Sequence, residues 1–283
     1  MAALILGALS SCDGKIAPLE PELPPVMDSE TQENLVTMTF SASKPAGSAW
    51  KAEDKVAIYD GAAKREFTVV QLSEDGTAVL KGLVEEGAEQ FHAVWPYAYA
   101  SENLPVEGKV SVNIPAVQNV SENAVSDPDA VVYVGQISDG NIIFESAVSH
   151  IKINIPEGVT SVSIKGLAYE NVAGNMAYVV LQPSGETFKA GQYSIAVIPQ
   201  AFKIGYKAVY AKDGYLAVAK VVPEQDAELV LAPGQVYDIT GKTVAEAFTW
   251  FANPIMTEAQ LLEYLANQQA YASEVAKLGA DIT

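Results

Sequence analysis

The sequence predicts an all-β protein built from two antiparallel sandwiches. Three observations point there. From Asn34 to Thr240, apolar and polar residues alternate in short runs, the period of half-buried strands. Four Asp-Gly pairs, at 60–61, 75–76, 139–140 and 213–214, punctuate those runs as hairpin turns, because glycine reaches positive φ at no steric cost. The β-patterned stretch is also long, roughly twice the ~100 residues of a single sandwich.

In chain order, Ala2 to Ala8 is a short apolar run closed by Leu9-Ser10-Ser11-Cys12. It is far shorter than the ~20 residues a membrane-spanning helix needs, and reads as a secretory signal over residues 1–12. Its final residue is the only cysteine in the chain, so no intrachain disulfide can form. The pattern resembles the bacterial lipobox, which implies acylation of Cys12. Residues 13–33 carry Pro18, Pro21, Pro24 and Pro25 among acidic residues and read as an extended, solvated tether.

Val36, Met38, Phe40 and Ala42 then form one face of a first strand. Val110, Val112 and Ile114 form a second such face, and Ile151, Ile153 and Ile155 a third. The polar stretch 121–129, with Asp127-Pro128-Asp129, reads as an exposed loop. The seam between sandwiches is expected near 138–147, dividing them as 34–140 and 141–242. From residue 243 the composition changes. Thr257 is a good N-cap for a helix through Ala266, with Leu261, Leu262 and Leu265 on its apolar face. Residues 274–282 read as a further strand. Residues 243–283 are thus a connector and the expected start of another domain. They should lie loosely on the second sandwich or be mobile, and be lost to protease from about residue 242.

Hydrophobic residues make up 49% and charged residues 18%, a globular balance, while the net charge is −18. Such a surface disfavours nucleic acid and anionic membranes, which need cations to pair with phosphate. Membrane attachment therefore falls to the lipid on Cys12.

Candidate chemistry is sparse. His92 and His150 are the only histidines, each in a strand-like segment. No nucleophile elbow, zinc-binding, phosphate-binding or dinucleotide motif occurs. Catalysis, metal and cofactor are accordingly not expected; Asp127 and Asp129 read as loop residues more than as calcium ligands. One aromatic cluster, Trp95, Tyr97 and Tyr99, is a candidate glycan-stacking platform, against the commoner reading of core and rim packing.

Several segments in order carry a resemblance. They are Cys12; Val36 to Ala42; Trp50 with Asp54 to Tyr59; His92 to Tyr97; Val112 to Gln118; Phe144 to Ile155; Ile198-Pro199-Gln200; and Leu231 to Ile239. Their order and spacing resemble the fimbrillin family of pilin-like lipoproteins. The resemblance implies two transthyretin-like sandwiches, display on the outer membrane, and a structural, display or pilus-associated adhesion role. The implied partners are the membrane, other pilus subunits, and host or matrix glycans or proteins. In polymerising members a first strand is released by cleavage after arginine, and a donor strand replaces it. Here residues 43–53 contain Lys44 and Lys51 but no arginine; the only one in the chain is Arg65. Residues 257–282 look similar to the opening of a right-handed parallel β-helix. Alternative readings are therefore a glycan-binding surface module, or the non-catalytic stalk of a larger β-helix surface enzyme.

Overall fold

The first alternating run forms β1 (Leu35–Ala42), which turns Phe40 and Ala42 inward. The chain continues through β2 (Lys55–Tyr59), β3 (Lys64–Leu72), β4 (Ala78–Glu85), β5 (His92–Trp95), β6 (Val117–Val120), β7 (Tyr133–Ser138) and β8 (Asn141–Ser146). All of these except β6 close into a barrel in the order β1-β4-β3-β2-β5-β7-β8. This computed structural model describes residues 34–43, 45, 48–165, 178–202, 206–221, 229–242, 248–268 and 276–279. Cys12, the signal segment and the tether lie outside the described residues, as does most of the expected strand at 274–282.

The protein is all-β, but its first half departs from the expected open sandwich. Pairing around the barrel is antiparallel except at closure, where β1 runs parallel to β8 through Ser41–Asn141 and Ala42–Ile142. Closure joins residues about a hundred positions apart, and strand periodicity says nothing of such pairing. Two glycines make room inside. A Cβ on Gly82 would lie 2.5 Å from the Phe67 ring, and one on Gly135 would lie 2.5 Å from Ile142.

All four Asp-Gly pairs turn the chain between consecutive strands, with glycine φ between 71° and 90°. Of the aspartates only Asp139 shares the left-handed backbone, at φ 50°.

The second half comprises β9 (Ser149–Ile155), β10 (Val159–Lys165), β11 (Tyr178–Pro183), β12 (Gly191–Val197), β13 (Gln200–Phe202), β14 (Tyr206–Lys212), β15 (Tyr215–Val221), β16 (Leu229–Leu231), β17 (Val236–Asp238) and β18 (Phe251–Ala252). These make a six-stranded sheet, β18-β15-β14-β10-β11-β6, a three-stranded sheet, β12-β9-β17, and the pair β13-β16. The expected division at 140/141 falls inside the β7–β8 hairpin, and β6 crosses over to pair with β11 in the second half. Gln118 of β6 is fully buried and grips β12: its Nε2 donates to Ala196 O at 2.7 Å, and Ala196 N donates to its Oε1 at 2.9 Å.

β2 explains how the halves join. Val56 and Ile58 point into the barrel, while Ala57 and Tyr59 enter the core of the second half with Ile151, Ile153 and Tyr210. The strand is buried on both faces. Burial pushes the Tyr59 hydroxyl up to about 12, and it donates to Ser101 O at 2.5 Å. The run from Val110 to Ile114, expected as a strand, forms no named strand among the described residues. It is an extended segment held by an isolated bridge between Ala100 and Val112, and it buries Val112 and Ile114 against that same core.

Thr257 caps α1 (Glu258–Ala266) with a reciprocal capping box to Gln260. The connector before it is more integrated than expected. β18 extends the six-stranded sheet beside β15, and Phe251 and Ile255 are buried. Of the expected last strand, the described part forms one parallel bridge, Leu278 to Ile255.

Candidate binding groove

Three chain segments converge beside the barrel: residues 48–55 leading into β2, the end of β5 with the 3-10 turn Tyr97–Tyr99, and the 3-10 turn Pro128–Ala130 leading toward β7. Between them lies a groove of about 760 Å³, within the range of small-molecule sites. Its lining includes Trp95, Tyr97, Tyr99 and Tyr133, with Lys51, Glu53, Asp54, Lys55 and Asp129 around them.

The fold sets each wall. Asp127, the N-cap of the second 3-10 turn, accepts from Asp129 N at 2.9 Å and from Asn119 N at 2.7 Å. Its carboxylate is thereby engaged in shaping the loop, which leaves Asp129 to face solvent. Asp54 Oδ2 accepts from Lys51 N at 2.8 Å and folds the 51–54 turn, in which Glu53 adopts φ 68°. Left-handed backbone at a non-glycine residue is strained, and such strain clusters at functional sites. Lys64 reaches across from β3 with its side chain almost fully buried. Its Nζ lies 4.6 Å from the Tyr97 ring centroid, donates to Ala100 O at 3.4 Å and pairs with Glu102. That cation fixes the position of Tyr97.

The three aromatics singled out from the sequence all line this groove, but in different roles. Trp95 is engaged by its neighbours: Trp50 packs on it with ring centroids 4.6 Å apart, and Tyr133 stacks on it at 5.4 Å and 22°. It belongs to the floor. Tyr97 and Tyr99 are half-buried, and neither hydroxyl has a hydrogen-bond partner among the described residues. Burial, and then the nearby Asp127 and Asp129 carboxylates, push the Tyr99 hydroxyl above its ordinary range. Burial does the same to Tyr133, opposed by a hydrogen bond with the Ser48 side chain. The sequence offers Asp129 only as a loop residue or calcium ligand, and Glu53 and Tyr133 not at all, since these walls reach the groove only through the fold.

The histidines lie in separate sheets, His92 on β5 of the barrel and His150 on β9. Burial pushes His150 below its ordinary range. Among the described residues, no group of three or more His, Cys, Asp or Glu side chains is placed to hold a metal ion. Nor is any helix among them long and apolar enough to cross a membrane. No protein-family model, curated protein or solved structure matches the chain.

Proposed function

We propose that the chain is a non-catalytic, lipid-anchored surface protein of the fimbrillin type, held at the bacterial outer membrane by an acylated Cys12 and serving display or pilus-associated adhesion. The observation that most supports this reading is the pairing of β1. It bonds with β4 along all eight of its residues but meets β8 at only two positions. A terminal strand at a short seam is the kind of element that strand-exchanging assemblies replace. In this chain the loop after β1 lacks arginine, so β1 stays and closes its own barrel. The protein then acts as a monomer or as an anchoring or terminal subunit. On this reading the barrel is a closed variant of the first transthyretin-like sandwich. The six- and three-stranded sheets, bridged by Gln118, correspond to the second.

The net charge of −18 leaves lipid as the means of attachment, and stable attachment takes more than one acyl chain. The test is Cys12→Ala followed by cell fractionation. The variant is expected to leave the membrane pellet for the soluble fraction. Retention equal to that of the parent chain overturns the proposal.

A further inference from the structure

We infer that the groove between Tyr97, Tyr99 and Asp129 is a binding site for a short neutral oligosaccharide. This goes beyond surface anchoring and does not depend on it.

The argument starts from ring availability. Tyr97 is held from beneath by the buried Lys64 cation, so its position is set before any ligand arrives. Tyr99 sits on the same 3-10 turn, is half-buried, and lines the groove. Each tyrosine packs part of its ring against the core and, being half-buried, leaves the remainder to line the groove with a polar tip, an amphipathic surface that suits a pyranose, which has C–H faces and a hydroxyl rim. Around the rings, Lys51 and Lys55 supply donors while Glu53, Asp54 and Asp129 supply acceptors, although Lys55 also pairs with Glu66 at 2.8 Å and Asp54 Oδ2 also accepts from Lys51 N. A sugar hydroxyl donates and accepts at once, so a rim of both kinds satisfies it. The same mixture argues against charged ligands. An anionic glycan meets three carboxylates on a chain of net charge −18, and a basic peptide meets two lysines at the groove itself. The left-handed Glu53 fits a wall whose shape is maintained at some local cost.

The experiment uses the full chain purified in detergent, applied to an array of neutral glycans, with acidic glycans and lysine-rich peptides as comparison probes. Hits are then titrated calorimetrically with maltohexaose, cellohexaose, xylohexaose or mannohexaose, whichever the array selects. Binding is expected for at least one neutral class and should change less than twofold between low and high salt. Tyr97→Ala should weaken it at least tenfold, and Tyr99→Phe, which keeps the ring, severalfold. Asp129→Asn, at an exposed position, provides a variant that leaves the fold intact and should weaken binding severalfold. An array with no neutral glycan bound overturns the inference. So does glycan binding unchanged in all three variants. Preferred, strongly salt-dependent binding of the basic peptides overturns it in favour of a peptide site. Because every arm is read on purified protein, failure here is distinct from failure of lipid anchoring.

Discussion

The Asp60 side chain has no solvent exposure and its carboxylate accepts four hydrogen bonds. Oδ1 takes Ala62 N and Ala63 N at 3.0 and 2.8 Å; Oδ2 takes Arg65 Nε at 2.7 Å and Glu85 N at 2.9 Å. Burial alone would raise its pKa, but the backbone donors and Arg65 outweigh it and hold the carboxyl below its ordinary range. The sole arginine of the chain is therefore committed to the β2–β3 turn. Asp60→Asn should destabilise the fold by about 3 kcal/mol near neutral pH, as expected when one partner of a buried pair loses its charge. A depressed folded-state value means that the ionised carboxyl stabilises the fold above the unfolded value and that this contribution fades as pH falls through the folded one. The gap between parent and variant should thus be full above about pH 4 and shrink below it. Urea titrations at a series of pH values measure it; a gap constant down to pH 2 contradicts the assignment.

β4 and β1 show how an element constrains a single position. Gly82 lies opposite both Phe67 on β3 and Met38 on β1, and the Phe67 ring occupies the space a side chain would need. Gly82→Ala should cost about 1–3 kcal/mol through overpacking. Phe67→Leu in the same chain should recover part of that loss, and a double-mutant cycle that shows no coupling contradicts this packing. At the other end, α1 buries none of its residues and leaves Leu262 and Leu265 more than half exposed. It touches the sheet chiefly through Tyr264 against Phe251, ring centroids 5.5 Å apart. An isolated helix this short is marginal in water. Limited proteolysis should therefore cut within 258–268 first and leave a protected fragment that includes β18. Mass spectrometry of the core decides it: a fragment ending near residue 242 would mean that β18 is not held by the sheet.

At the scale of the whole molecule, the shared core matters most. Ala57, Tyr59 and Val94 belong to barrel strands, yet they pack with residues of β9, β10 and β14. The halves cannot separate without exposing Tyr59. Residues 35–283 form one compact unit accordingly. Thermal unfolding should be a single transition whose calorimetric and van't Hoff enthalpies agree. Two resolved transitions would show that the interface through β2 is weaker than its burial implies.

Strand alternation, the four Asp-Gly turns and the Thr257 cap were legible in the sequence, because each is a local effect acting over a few residues. So was the aromatic cluster at 95–99, since its members are neighbours in the chain. The sequence by itself determined an all-β protein with a capped C-terminal helix and one cysteine. The tertiary structure alone decided that β1 meets β8 to close a barrel, that β6 crosses to the second half, and that Val112 in the 110–114 run makes only an isolated bridge to Ala100. It also decided that Trp95 is floor while Tyr97 faces the groove, because Lys64, Trp50 and Tyr133 come to them from distant segments. The physical reason is common to all of these. Periodicity reports which face of a strand is buried, whereas partner choice is settled by long-range packing that no window of a few residues contains.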